Sequence, residues 1–299
     1  MRVIAPIEIT DAVLSASNIP EDDHPEWVSS TNYDEGERVI VVSTHTIYES
    51  VQDGNLDNDP TTDSGVWWIE ISATNRWKAF DQKISEQAER AENITYTISL
   101  TSTVTGISFF GLDASSVRVR IMDGATEVYD ETKGLVDTTE IVSWFTYFTW
   151  DPVFDSEAIF PDVPGYSGND IEITVDAGTG TALVGQIVPG RLYFLGETLE
   201  GTEIGIEDFS IKERDDFGNA EIVERAFVDN VSFRFAMTAG DARRVKRVLS
   251  NLRATPAVYF AGADIPQYGA TTYGFFQDFR IPLNHGGVSV VELEIEGLT

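Results

Sequence analysis

Alternation of apolar and polar residues dominates the middle of the chain. Residues 117–121 (VRVRI) and 171–175 (IEITV) place an apolar side chain at every second position, which is typical of antiparallel strands with one buried face. Further strand-rich runs, broken by glycine, proline and aspartate, are YTISLTSTVTGISFFGL, WFTYFTW and ALVGQIVPGRLYFLGE. Several strands at short spacing over residues 94–212 predict a β-sandwich, for which a jelly roll is the commonest form.

Residues 213–299 combine strands with one helix. Residues 231–237 (VSFRFAM) alternate as a strand and run into a predicted helix that extends through Arg253, with Thr238 as the N-cap and Asp241 complementing the helix start. The predicted buried stripe of this helix consists of Ala242, Val245, Val248, Leu249 and Leu252. Further strands are expected at 256–261 and 288–295, so this part is predicted to be an α+β unit.

The first 80 residues contain an N-terminal arm and a block rich in aromatic residues. Strands are predicted at 38–43, 46–51 and 66–72, with a long polar loop before the last one. Three short strands bury little surface, so tryptophan and tyrosine must supply much of the core. Residues 81–93 continue an approximate helical stripe that starts at Trp77, and they are expected to form a helical or extended connector to the sandwich. Taken together, these patterns predict a mainly β, multi-domain chain.

Composition narrows the classes of function. The 50 acidic and 20 basic residues give a net charge of −30, which disfavours nucleic acid as a partner because phosphates are repelled. The absence of cysteine excludes disulfides, thiol nucleophiles and thiolate metal sites, and it fits folding in a reducing cytoplasm. No apolar run approaches the ~20 residues of a membrane helix, and no signal peptide or membrane insertion is expected.

An acidic loop spaces oxygen ligands at every second residue, as a calcium loop does: Asp53, Asn55, Asp57 and Asp59. The loop departs from an EF-hand, however, because Asn58 stands where glycine is needed and position twelve lacks the bidentate glutamate. A solvated turn is therefore favoured over calcium, and no other cofactor is expected.

No catalytic constellation emerges from the residue pattern. The three histidines, His24, His45 and His285, have no histidine partner at metal-ligand spacing, and solvent-facing or turn roles are expected for them. A nucleophile elbow and a phosphate-binding loop are also absent from the sequence. Pairs of carboxylates suited to glycosidase chemistry are recognised by their separation in space, which the sequence does not show. We expect the chain not to be an enzyme.

The predicted helix carries a basic face formed by Arg243, Arg244, Lys246 and Arg247. Three interpretations are open. The face is solvated and offsets nearby acidic residues, or it docks on an acidic surface of a neighbouring copy of this acidic chain. Nucleic acid binding is the least supported, since no interleaved aromatic residues accompany the basic ones.

The aromatic block follows the order Trp27…Tyr33-x-x-Gly36-x-x-Val39…Tyr48…Pro60…Trp67-Trp68. This order resembles the chitin-binding-type carbohydrate-binding modules of families five and twelve, although the loop DGNLDNDPTTD is bulkier than the family usually carries. The resemblance covers about a sixth of the chain. It implies that Tyr33, Trp67 and Trp68 lie in or near a sugar-stacking surface, with Trp27 and Tyr48 nearer the core.

The string VGQIVPGRLYFLGETLEGTEIGIEDFSIKERDDFGNAEIVERAFVDNVSFRF resembles segments of tail or tail-fibre-associated virion proteins of tailed bacteriophages. The resemblance implies a structural component of the tail, baseplate or fibre attachment, assembled in the host cytoplasm into the virion. Its expected partners are other virion proteins and copies of itself. The alternative is a host-surface glycan-binding adhesin that uses the aromatic block.

Overall fold

The computed structural model describes residues 1–214, 217–262, 270–282 and 287–298, and antiparallel strands form most of it. The elements in chain order are β1 (Arg2–Pro6), β2 (Leu14–Ser17), β3 (Asn32–Tyr33), β4 (Arg38–Val41), β5 (Thr46–Ser50), β6 (Asn55–Leu56), β7 (Trp68–Ala73), a 3-10 helix (Lys78–Phe80), β8 (Ala88–Ser99), β9 (Val104–Phe110), β10 (Ser116–Asp123), β11 (Thr126–Gly134), β12 (Val136–Asp137), α1 (Trp144–Thr149), β13 (Val153–Phe154), β14 (Glu157–Gly165), β15 (Asp170–Val184), β16 (Gln186–Phe194), β17 (Glu197–Thr198), β18 (Glu203–Asp208), β19 (Ile211–Arg214), β20 (Ala220–Val223), β21 (Phe227–Thr238), α2 (Ala242–Asn251), β22 (Ala257–Phe260), β23 (Thr271–Phe279) and β24 (Val288–Gly297). The predicted mainly β class is confirmed.

The central sandwich has a five-stranded sheet as one of its two layers. Its strand order is β11-β10-β15-β8-β2. The predicted alternation in β10 is confirmed, because its valines and isoleucine are fully buried. Arg118 and Arg120 lie on the opposite face and form ion pairs with acidic residues of the neighbouring strands, at 2.5 Å to Asp130 and 2.7 Å to Glu172. One face of this sheet therefore packs into the core while the other carries cross-strand charge pairs.

The second layer belongs to a ten-stranded sheet with the order β14-β9-β16-β1-β22-β23-β24-β21-β17, in which β18 also pairs with β21. Side chains of β9, β14 and β16 share one buried cluster with those of β8, β10 and β15, so the predicted β-sandwich is confirmed. Towards its other end, the same sheet packs against α2 and forms a second core with residues of β21, β22 and β24. Both cores thus rest on one continuous sheet.

Strand β1 joins these two parts of the large sheet. It pairs with β16 on one side and with β22 on the other, both antiparallel. The approach of β1 to β16 needs a glycine at position 190, because a Cβ there would lie 2.1 Å from the carbonyl oxygen of Ala5. Strand pairing therefore crosses the predicted boundaries at residues 80 and 212, and the N-terminal arm belongs to the large sheet instead of to the aromatic block.

The connector predicted at 81–93 as helical or extended contains no helix: the 3-10 helix ends at Phe80, residues 81–87 form turns and bends, and β8 begins at Ala88. Ala88 is fully buried and the strand pairs with β15 along its length, so sheet pairing overrides a helical spacing that was only approximate. The 231–237 strand is confirmed within β21, and α2 buries Val245, Val248 and Leu249 as expected.

The N-cap of α2 is Asp241, not Thr238. Thr238 is the last residue of β21, where it pairs with Val288, and its hydroxyl lies 2.6 Å from Oδ2 of Asp241. Residue 238 therefore ends a strand and cannot also begin the helix. In the ranges that the structure describes, neither helix has the length and apolar character needed to cross a membrane.

Candidate functional site

Two of the three rings predicted to stack on sugar lie in the core of the aromatic block. Tyr33 and Trp68 pack edge to face with ring centroids 5.1 Å apart, and only 8% and 2% of their surfaces are exposed. The hydroxyl of Tyr33 accepts a hydrogen bond from the Val28 N–H, and Nε1 of Trp68 donates to the Asn58 carbonyl. These two residues offer no free ring face, which corrects the prediction at both positions. A core built by three short strands requires both rings to fill it.

The remaining aromatic rings of the block surround this core. Trp67, Trp27 and Tyr48 are half-buried and pack against it. Trp27 and Tyr48 are thus less buried than Tyr33 and Trp68, the reverse of the expected order. Sugar binding by this block stays a prediction, and among the three predicted stacking residues it now depends on Trp67 alone.

Asp63, which the sequence analysis did not single out, holds the loop that leads into β7. One oxygen, Oδ2, accepts hydrogen bonds from the backbone N–H groups of Gly65, Val66, Trp67 and Trp68 at 2.8–3.1 Å. Burial raises the pKa of this carboxyl, but the four hydrogen bonds outweigh burial and hold the pKa below its usual range. An aspartate just before Ser-Gly is a turn signal in the sequence.

Several polar side chains of the candidate calcium loop form hydrogen bonds with other groups of the protein. Asp53 and Asp59 accept hydrogen bonds from nearby backbone N–H groups, and the buried side chain of Asn55 donates to groups of β5 and of the residue before β7. Asp57 adopts a left-handed turn conformation with φ of 60°. In the described ranges, no three His, Cys, Asp or Glu side chains are grouped to hold a metal. Calcium binding therefore stays a prediction.

His45 lies in the turn between β4 and β5 and connects the aromatic block to the sandwich. Its ring stacks on Trp77 at a centroid distance of 4.0 Å. Nδ1 lies 2.9 Å from Glu21 and Nε2 lies 3.1 Å from Asp11. The turn location agrees with expectation, but the side chain is largely covered instead of facing solvent. His285 lies outside the described residues.

A cavity of about 410 Å³ lies beside α2, between that helix and strands β1 and β16. Its floor is apolar, and its rim carries three arginines. We call it the arginine-rimmed cavity, and its lining residues are Ala5, Arg191, Tyr193, Arg244, Arg247, Val248, Asn251 and Leu252. The four residues predicted to form a basic interface are thus divided, because Arg244 and Arg247 line the cavity whereas Arg243 and Lys246 do not.

The three arginines of the rim differ in whether their side chains already have an acidic partner. Arg244 is fixed by Asp241, at 3.0 Å, and by the carbonyl oxygen of Phe194. Arg191 and Arg247 are exposed, and over the part of the chain that the structure describes neither has a carboxylate within ion-pair distance. Two guanidinium groups at the rim are therefore available to an acidic partner.

The segment WFTYFTW forms a helix, α1, where the sequence pattern predicted a strand. Ser143 and Thr146 start the helix through a reciprocal capping box. None of its residues is buried. The aromatic tip, as we call residues 142–148, exposes 54–82% of each of five large side chains: Val142, Trp144, Phe145, Tyr147 and Phe148. A contiguous apolar surface of this kind marks an interaction site in a folded protein.

The aromatic tip projects from the edge of both sheets. It follows β11 and precedes β14, and a ladder of two residue pairs between β12 and β13 closes its base. Its surroundings are acidic, with Asp137, Glu140 and Asp151 in or beside the excursion, and the sequence contains no lysine, arginine or histidine from residue 134 to residue 190. The segment that carries the rings is therefore negatively charged.

A second cavity, of about 280 Å³, lies where β11 and β14 approach β22 and β23, and it contains Lys133, Asp155 and Glu157. Burial raises the pKa of Glu157 to about 7, and the negative charges of Asp229 and Asp155 add to the effect. The ammonium group of Lys133 donates to a backbone carbonyl of β14 instead. Across the described residues Glu157 has no ion-pair partner within 4 Å.

No protein-family model matches the chain, and neither a curated protein nor a solved structure matches it. Function is therefore inferred from the surfaces described above, together with the resemblances in the sequence.

Proposed function

We propose that the chain is a structural component of a tailed-bacteriophage tail, in the tail proper, the baseplate or a fibre attachment. It would enter the virion during assembly in the host cytoplasm and act by burying surface against other virion proteins and copies of itself. The observation that supports an assembly role most strongly is the aromatic tip, whose rings have no covering layer in the described fold.

The tip has the area expected of an anchor. Trp144, Phe145 and Phe148 are each more than three-quarters exposed, and large aromatic side chains bury roughly 150–250 Å² each. At about 25 cal/mol per Å², covering three such rings contributes on the order of 10 kcal/mol before costs. The loss of free motion on association costs about 4–15 kcal/mol. The rings therefore need additional contacts from the partner, which favours a shaped and charged binding surface over an unspecific apolar one.

The geometry favours assembly over the alternative of a glycan-binding adhesin. Sugar stacking usually needs free aromatic faces, and two of the three predicted ones are used in the core of the aromatic block. The exposed aromatic area lies instead on the tip, far along the chain from that block.

Purified virions of the phage that encodes the chain provide the test. Mass spectrometry should detect the chain in stoichiometric amounts, and immunogold electron microscopy should place it on the tail. Absence of the chain from purified virions, with normal amounts in the infected cell, would refute the proposal. A location on the capsid shell would refute the tail assignment.

A further inference from the structure

We propose that the aromatic tip of one copy of the chain docks into the arginine-rimmed cavity of a second copy. This inference rests on the assembly function proposed above and names one of its partners. It joins two surfaces that are far apart in sequence, residues 142–148 and the cavity between α2, β1 and β16.

The two surfaces agree in size and chemistry. A cavity of about 410 Å³ falls in the range of roughly 300–1,000 Å³ typical of ligand pockets. Its floor combines aliphatic side chains with the ring of Tyr193, and the guanidinium of Arg191 lies 5.6 Å from that ring. Trp144 and Phe148 stack with centroids 6.3 Å apart and form a compact apolar wedge. An aromatic anchor in a partly apolar pocket is the usual centre of a protein interface.

Charge complementarity favours the arginine-rimmed cavity as the docking site of the tip. Two copies of a chain with a net charge of −30 repel each other over most of their surface. Three of the 20 basic residues, however, line this one cavity: Arg191, Arg244 and Arg247. The acidic residues around the tip are complementary to this region. Docking there would bring opposite charges together where most other orientations bring like charges together.

A membrane surface fits the tip less well than a second copy does. Helices that lie in the membrane interface usually carry lysine and arginine on their polar face, which anionic lipids attract. The tip is flanked in sequence by Asp137, Glu140 and Asp151, and anionic lipids repel these carboxylates.

The proposed contact is heterologous, since one copy contributes the tip and the other the cavity. Each copy then retains one unused tip or cavity after the first contact. Repetition of such a contact closes into a ring if the rotation between copies allows it, and otherwise produces a filament. Both outcomes suit a tail component.

The first experiment compares the mass of the full-length chain and its variants by mass photometry and sedimentation velocity. The tip variant, W144S/F148S, changes exposed residues only, and the cavity variant, R191E/R247E, reverses the two exposed guanidinium charges. We expect the wild-type chain to form oligomers at micromolar concentration and both variants to be monomeric, with Kd raised at least tenfold. The matched control, R243E/K246E, makes the same charge change on α2 away from the cavity and should still assemble.

The second experiment mixes the two defective variants. The cavity variant retains an intact tip and the tip variant retains an intact cavity, so the mixture should form 1:1 heterodimers and nothing larger. A wild-type chain that is monomeric throughout would overturn the inference, as would a tip variant that still assembles or a mixture without heterodimers. Tip-dependent binding of monomers to anionic vesicles would also overturn it, in favour of a membrane partner. None of these results would remove the chain from the virion, so the proposed function is tested separately.

Discussion

Replacement of Glu157 by glutamine should stabilise the protein above neutral pH. An ordinary glutamate has a pKa of 4.5, whereas burial and the neighbouring charges of Asp229 and Asp155 raise the pKa of Glu157 to about 7 in the folded state. Between these two values the folded protein keeps a proton that the unfolded chain has released. The stabilising contribution of the proton is therefore complete below about pH 4.5 and is lost as the pH rises through 7.

The size of the effect follows from the difference between the two pKa values. A change from 4.5 to about 7 corresponds to about 3 kcal/mol between the ends of the window. Glutamine has nearly the same shape as protonated glutamic acid but never ionises. We therefore expect Glu157→Gln to equal the wild type at pH 4.5 and to exceed its free energy of unfolding by about 2–3 kcal/mol at pH 8.

Urea denaturation followed by tryptophan fluorescence, at several values between about pH 4.5 and pH 8, measures this difference. Glu294→Gln is the matched control, because it removes the charge of an exposed strand glutamate. The control should follow the wild-type curve. Equal pH dependence in wild type and Glu157→Gln would refute the reasoning, and so would a variant that is less stable than wild type at pH 8.

Three further predictions concern the aromatic block and can be checked by hydrogen exchange of its backbone amides. Trp68→Ala should destabilise the block by about 3–5 kcal/mol because it empties the core, whereas Trp67→Ala should cost less than half as much; equal losses would contradict the assigned burial. Asp63→Asn should lower protection of the 65–68 amides by about 1–2 kcal/mol, since a charged acceptor of four hydrogen bonds is lost. His45 has a left-handed backbone conformation with φ of 55°, which asparagine tolerates. His45→Asn loses the stacking on Trp77 and should therefore cost about 1 kcal/mol; unchanged protection would show that the stack contributes nothing.

Some elements could be predicted from the sequence because their signal is local. The period of two in 117–121 and 171–175 is present in the residues themselves, and β10 and β15 follow it. The buried stripe of α2 is equally local. The helix of the tip has only a weak local signal, because Ser143 is a favourable N-cap residue but Thr146 stands where the usual capping box has Glu or Gln. Its many aromatic residues favoured a strand, however, and aromatic side chains are common in strands.

Other features depend on contacts between distant residues. Which rings of the aromatic block face inward depends on strand register, and a shift of one residue exchanges the two faces of a strand. Trp67 and Trp68 are neighbours in sequence, yet Trp68 is fully buried and Trp67 is not. The arginine-rimmed cavity combines residues 5, 191 and 247, so no local pattern could indicate it. The elevated pKa of Glu157 likewise depends on Asp229, more than seventy residues away.

The position of β1 between β16 and β22 has a consequence for biosynthesis. Chains leave the ribosome at about 5–20 residues per second, and domains tend to fold as they emerge. Strand β1 can pair with β22 only after about 250 further residues have been made, which takes on the order of 10–50 seconds. During that time at least one edge of this apolar strand is unpaired and can pair with another nascent chain. The rate of translation and the crowding of ribosomes on one message should therefore influence the yield of correctly folded protein.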